Sequence, residues 1–412
     1  MAESPFHNID VLDQQLDELV EKLALTLFPD ELDNAGWDYG FPLADIKRLT
    51  TRWRDGFDWR RAEASLNAEL SMFTRDITAD DSSMLNIHCM HKASKSANAI
   101  LFLSIHGCTL AVPEVFEAHK LIPLLVETFP DYPSIHVVAM SLSGYGFPEA
   151  PTKRGFNPRQ CASDTNRCRA LGYKEYVTQG GDCGVANPKH AKASHTNLPY
   201  AAKHPFFSPP SVFLVCLLAP YSKAERDGLA TTHRFSTVGN ACMQEHSSKH
   251  QTLGMSLSDS PVGLLAWIYE KLVEQTDNYP STDDQGLSSC FFFCVSQVSV
   301  NCSISSNVDF HLLILACRDY VPAEDKQAAQ KVTAPTGFSR FPKNIHLWPN
   351  TSITLLLRWT STLGKVVSDR RNPDGGHLAA YKRPGLLAGG LRGMSQRGGP
   401  ACGAVSRNTG YD

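Results

Sequence analysis

Two glycine-rich segments carry the side chains best placed to do chemistry. Gly180-Gly181-Asp182-Cys183-Gly184 sets a carboxylate between small residues. Such a frame permits a very tight turn out of a strand, where the crowded backbone demands glycine. The turn lifts its central side chain clear of a sheet. A carboxylate there needs no base to activate it, and its attack on carbon leaves an alkyl ester. Strained rings and carbons with good leaving groups suit that attack. No intact Gly-x-Ser-x-Gly is present, which counts against a serine nucleophile.

An ester so formed needs water to release it, and the water needs a base. Asp374-Gly375-Gly376-His377 offers a histidine on a glycine-rich loop late in the chain. It follows strand-like Lys365-Val-Val-Ser368 and precedes helix-like Leu378-Ala-Ala-Tyr-Lys-Arg-Pro384. A loop after the last strand can carry an imidazole to the nucleophile, where it activates water.

These side chains need strands and helices to position them. Leu12, Leu16, Leu19, Val20, Leu23 and Leu27 recur at three- and four-residue steps and predict a helix over 9–28. An aromatic-rich helical region spans 37–73. From residue 84 the pattern changes to strands: 84–90, 99–105, 135–140 and 173–180. Helical stretches at 114–128 and about 161–171 lie between them. Short buried strands alternating with helices predict a parallel sheet covered on both faces. Ligands bind at the carboxyl ends of such strands. His106-Gly107, Gly144-Tyr-Gly146 and Asp182 all fall at those ends. A further helix is expected over 252–275.

The chain has 412 residues, 42% hydrophobic and 20% charged, with a net charge of −3. That balance fits a globular protein and gives no electrostatic reason to expect a nucleic-acid partner. The most apolar windows, 98–104, 211–219 and 311–317, fall far short of the roughly 20 residues a spanning helix needs. The polar, acidic start lacks the pattern of a signal peptide, so a cytoplasmic setting is expected. The 12 cysteines are dispersed without paired CxxC spacing. They read as buried thiols rather than disulfides, and no metal site is expected.

Several segments together resemble the epoxide hydrolases of the microsomal and fungal type. They are Leu27-Phe-Pro-Asp-Glu-Leu32, Trp37-Asp-Tyr-Gly40, Trp53-Arg-Asp-Gly-Phe-Asp-Trp59, Ser143-Gly-Tyr-Gly-Phe147, Gln179-Gly-Gly-Asp182, 257–268, Phe341-Pro-Lys343 and Gly375-Gly-His377. The resemblance implies an α/β-hydrolase core, a mostly parallel sheet with helices on both faces. It also implies a helical N-terminal region and a helical cap insertion. The division it suggests is a helical region over 1–80, core over 81–205, cap over 206–335, and core again over 336–393. The tail, 394–412, reads as disordered.

The resemblance further implies a two-step reaction giving a vicinal diol, with no cofactor. Asp182 opens the epoxide, and His377, held by an acidic partner, activates water. Backbone N–H groups at Cys108 and Cys183 would hold the oxyanion, Tyr320 would be a cap proton donor, and Trp267 would contact substrate. A homodimer is among the assemblies it allows, and likeness to fungal members points to secondary-metabolite or xenobiotic epoxides.

The chain also departs from the family pattern. The acid-partner position is Asn344, with Asp369 or Asp374 as substitutes to weigh. The first cap tyrosine aligns with Cys242. Pro188 follows Asp182 by six residues, so most of the helix behind the nucleophile is missing. Segments 288–316 and 351–358 read as insertions with a composition like translated non-coding sequence. An alternative expectation is therefore a catalytically impaired homologue, acting as a binding module or arising from a defective gene. Another hydrolase on the same fold, such as a dehalogenase or esterase, is a third.

Overall fold

The structure is a computed structural model. It describes residues 8–78, 84–105, 114–141, 173–181, 191–198, 223–246, 248–277, 282–290, 332–344 and 364–411. Three helices come first: α1 (Asp13–Ala24), α2 (Leu43–Gly56) and α3 (Trp59–Glu69). In α2, Ile46, Leu49, Thr50 and Trp53 are buried, one stripe of a 3.6-residue period. Asp58 caps α3 by accepting from the Arg61 N–H at 3.0 Å. Buried Glu63 ties this layer together. It accepts from the Val11 N–H, the Trp59 indole N–H and Arg60. α1 is shorter than its leucine stripe. Pro29 disfavours helix at the residue before it, and Leu27 stands 94% exposed beyond the last turn.

Among the described residues the sheet has eight strands: β1 (Met72–Thr78), β2 (Met84–Lys92), β3 (Ile100–Ile105), β4 (Ile135–Met140), β5 (Tyr176–Gly180), β6 (Ala191–Thr196), β7 (Val332–Arg340) and β8 (Gly364–Arg371). Their order is β1-β2-β4-β3-β5-β6-β7-β8. β1 and β2 pair antiparallel, as do β2 and β4, and the rest is parallel. This is the expected α/β-hydrolase core. Alternate residues of β3 serve opposite faces. Ile100 and Phe102 join the large core, while Leu101, Leu103 and Ile105 join the smaller one. Burial on both faces is why β3 and β4 read as unbroken apolar runs.

Helix α4 (Glu114–Val126) packs on β4. Then come α5 (Lys223–Arg234), a π-helical turn (Phe235–Gly239), α6 (Ala241–His246), α7 (His250–Asp259), α8 (Pro261–Glu274) and α9 (283–290). The single helix expected over 252–275 is two. Ser260 is extended (φ −107°, ψ 103°), because Pro261 disfavours helix before it. The Ser260 hydroxyl accepts from the Gly263 N–H at 3.0 Å, and Pro261 opens α8. Helices α10 (Ala379–Lys382) and α11 (Pro384–Ser395) follow β8. No helix among the described residues is long and apolar enough to cross a membrane. Cys89, Cys242 and Cys290 are buried and form no disulfide. The helix expected near 161–171 lies outside the described residues.

Three findings correct the expected boundaries. The sheet already begins at Met72, inside the stretch read as helical. β7 begins at Val332, ahead of 336. Residues 394–411 are packed, not disordered. Ala401 and Val405 are buried, the Gly410 N–H donates to the Asn98 carbonyl at 2.9 Å, and the Asn408 amide donates to the Ala99 carbonyl at 3.0 Å. A weakly charged composition hides order when its polar groups find backbone partners.

β7 and β8 are joined by an ion pair as well as by their ladder. Arg340 Nε and Nη2 donate to the two Asp369 carboxylate oxygens at 2.8 and 3.1 Å, with both side chains largely buried. Removing one partner leaves a buried, uncompensated charge. Asp369→Ala is expected to lower unfolding free energy by about 3 kcal/mol, read from the urea midpoint at unchanged slope. A shift under about 0.5 kcal/mol would mean the pair contributes no more than an exposed one.

Candidate active site

The carboxyl ends of β5, β6, β7 and β8 lie side by side, and the site's side chains issue from them. β5 carries Gln179 and ends at Gly180, with Gly181 buried beyond it. Asp182 follows directly but lies outside the described residues, as do Cys108, Cys183, Tyr320 and the stretches 106–113 and 142–172.

The loops after β7 and β8 continue the ladder one step further. Lys343 forms a parallel bridge with Gly376, and its N–H donates to the Gly375 carbonyl at 3.0 Å. The next residue on each side is Asn344 and His377. Parallel register therefore makes them neighbours, and His377 Nδ1 stands 3.2 Å from Asn344 Oδ1. His377 is 1% exposed and Asn344 5%.

Both glycines before His377 have a physical reason. Gly375 has φ +103°, a region side chains rarely adopt. A Cβ on Gly376 would lie 2.4 Å from the Gln275 carbonyl oxygen and 2.9 Å from that of Lys343. That close approach seats the loop on the end of α8, where the His377 N–H donates to the Gln275 carbonyl at 2.9 Å. Asp277 secures the same loop. Its Oδ2 accepts from the Gly375 N–H at 2.8 Å and from Arg383 at 2.9 Å.

The Asn344 amide has a defined orientation. Its Nδ2 donates to the Asn197 main-chain carbonyl at 2.6 Å. A flipped amide would set two oxygens together there. Oδ1 must then face the imidazole, and as an acceptor it requires a proton on Nδ1. The lone pair of the neutral ring then falls on Nε2. Neither acid weighed as a substitute for Asn344 serves. Asp369 is bound to Arg340, and Asp374 pairs with Arg383 at 2.9 Å on a half-exposed surface.

Behind the pair runs a buried chain of hydrogen bonds. Asn197, directly after β6, donates from Nδ2 to the His377 carbonyl at 2.9 Å and accepts from Gln179 Nε2 at 3.1 Å. Gln179 Oε1 accepts from His195 Nδ1, and His195 Nε2 accepts from the Ser339 hydroxyl at 3.1 Å. Burial pushes the His195 pKa down to about 3, so this imidazole is neutral. Trp267 sits half-buried on α8 against the large core, two turns before Gln275. Cys242 is buried in α6.

Asn344 and His377 thus lie within hydrogen-bond distance of each other. The amides at 179 and 197, His195 and Asp277 were not foreseen as functional. Gln179 lies inside the family-like segment Gln179-Gly-Gly-Asp182, but nothing in the spacing of 179 and 197 announces a contact.

Comparison with known proteins gives consistent results. The family model of the epoxide hydrolase N terminus matches residues 4–115. A Stigmatella aurantiaca protein that carries an epoxide hydrolase assignment is 32% identical over 404 residues, covering 94% of this chain and 84% of that one. Epoxide hydrolase 1 of Sus scrofa is 29% identical, covering 94% and 87%. Among solved structures, Aspergillus niger epoxide hydrolase superposes with a TM-score of 0.78 at 28% identity, covering 95% of each chain.

His195 gives the fold an acid-side liability. Between pH 6.5 and about 3 the unfolded chain holds a proton at this imidazole that the folded chain refuses. Stability attributable to His195 is therefore full above 6.5. It falls by about 1.4 kcal/mol per pH unit below that. Titration of the folded protein by NMR is expected to show His195 neutral down to pH 5. A midpoint near 6.5 contradicts the burial argument.

Proposed function

The chain belongs to the epoxide hydrolase family, and from that premise we propose that it adds water to epoxides through an ester on Asp182 released by His377. The observation that carries this reading is the orientation of His377. Asn344 Oδ1, 3.2 Å from Nδ1, fixes the proton there and leaves Nε2 as the base. Family membership favours an active hydrolase over the impaired-homologue alternative. Epoxide and water are the substrates in this reading, with no cofactor and a cytosolic setting.

In the first step a carboxylate oxygen of Asp182 bonds to one epoxide carbon as the ring C–O bond breaks. The developing alkoxide takes a proton from a cap donor, for which Tyr320 is the candidate. In the second step His377 Nε2 removes a proton from water as its oxygen adds to the ester carbonyl carbon. Backbone N–H groups at Cys108 and Cys183 are the candidate donors to that oxyanion. Collapse releases the diol, whose leaving oxygen takes the proton of the new carboxyl group, and the imidazolium returns its proton to the deprotonated cap donor, restoring the Asp182 carboxylate. Trp267, on the helix whose end holds His377, is the candidate substrate contact.

The neutral partner has a kinetic consequence. Asn344 orients the imidazole but supplies no negative charge to the imidazolium. The charge develops only in the second step, so hydrolysis of the ester is the slow step here. The likeness to fungal relatives supports secondary-metabolite or xenobiotic epoxides as the substrate class.

A single turnover in ¹⁸O-water tests the ester route. With enzyme in excess over an aryl epoxide such as styrene oxide, the first diol formed is expected to contain no ¹⁸O, the label entering Asp182 instead. Label in that first diol would show direct attack by water.

A further inference from the structure

Asn197 occupies an unusual place in the buried hydrogen-bond chain. It leaves the end of β6 with its backbone and side chain both turned to the site. Its carbonyl accepts from Asn344 Nδ2 at 2.6 Å and so sets the amide that sets the His377 tautomer. Its Nδ2 donates to the carbonyl of His377 itself at 2.9 Å. Its Oδ1 accepts at 3.1 Å from Gln179, which lies on β5, three residues before Asp182 in the sequence. Asn197 is 1% exposed, so water does not substitute for these partners at low cost.

We propose that Asn197 is a positioning residue for the second half-reaction, holding His377 at a fixed distance from the nucleophile strand. This rests on the reading of Asp182 and His377 given above. The two steps make different demands on the site. Formation of the ester needs Asp182 and a proton donor on the alkoxide. Its hydrolysis needs the imidazole placed within hydrogen-bond reach of a water at the ester carbonyl. Asn197 touches the two groups that orient the imidazole, and through Gln179 it refers their position to β5. Ala at 197 keeps the backbone carbonyl for Asn344 but loses the bonds to His377 and Gln179. The imidazole then shifts relative to the ester, and a misplacement near 1 Å costs about 10²-fold in rate.

The proposal predicts a split between kinetic constants. When the second step alone slows, kcat and KM fall together and kcat/KM, which reports ester formation, holds. A purely structural role would lower both steps or the amount of folded protein.

The test is rapid quench with styrene oxide followed by intact-protein mass measurement on three variants. His377→Gln is the reference for the two-step reading, and it should accumulate protein carrying one epoxide mass. Asn197→Ala should accumulate the same adduct, with kcat down about 10²-fold and kcat/KM within about threefold of the parent. Asn197→Ser, polar but too short to bridge, should behave likewise and guards against misfolding of the alanine variant. If His377→Gln traps the adduct and neither Asn197 variant does, the positioning role is overturned while the two-step reading stands. The same holds if both Asn197 variants fail to fold. If His377→Gln traps nothing, the two-step reading itself falls.

Discussion

The hydrogen bond between His377 Nδ1 and Asn344 Oδ1 pairs an imidazole with an uncharged amide, and most of the surrounding architecture serves to hold it. A carboxylate partner would hold an imidazole by charge as well as by geometry. An amide holds it by geometry alone. That geometry comes from the Lys343–Gly376 bridge beyond β7 and β8, the seat of the glycine loop on Gln275, and the Asn197 carbonyl that fixes the amide. The burial of both residues removes competing water and raises the penalty for breaking any of these bonds.

The hydrogen-bond chain directly behind the pair carries no formal charge either. His195, Gln179, Asn197 and Ser339 exchange hydrogen bonds with no formal charge, and deep burial keeps His195 unprotonated. A buried carboxylate would have to be desolvated, at a cost of several kcal/mol recovered only through good partners. The amide avoids that cost and forgoes stabilisation of the imidazolium. In the proposed reaction the exchange is between ease of folding and the rate of ester hydrolysis.

The sequence made the apolar strands β3 and β4 plain, because both faces of each are buried. It did not disclose β6, Ala191–Thr196, or β7, Val332–Arg340. Both are rich in Ala, Ser, Thr, Gly or Pro, and β7 takes up Pro335 with a shift in register. Their burial is polar, satisfied by neighbours that only the fold supplies. At the site, His377 was legible from its glycines and Asn344 from Phe341-Pro-Lys343. Asn197, Gln179 and Asp277 were not, since an amide or carboxylate bonded to a group distant in sequence leaves no period in the chain.

The tautomer of His377 tests the account most directly. Long-range ¹H–¹⁵N correlation on protein labelled at histidine nitrogen distinguishes a protonated Nδ1 from a protonated Nε2. The His377→Gln spectrum identifies which signals belong to this residue. With the Asn344 amide held by Asn197, the neutral ring should carry its proton on Nδ1 alone. A proton on Nε2, or rapid exchange between both nitrogens, would contradict the geometry on which the proposed base rests.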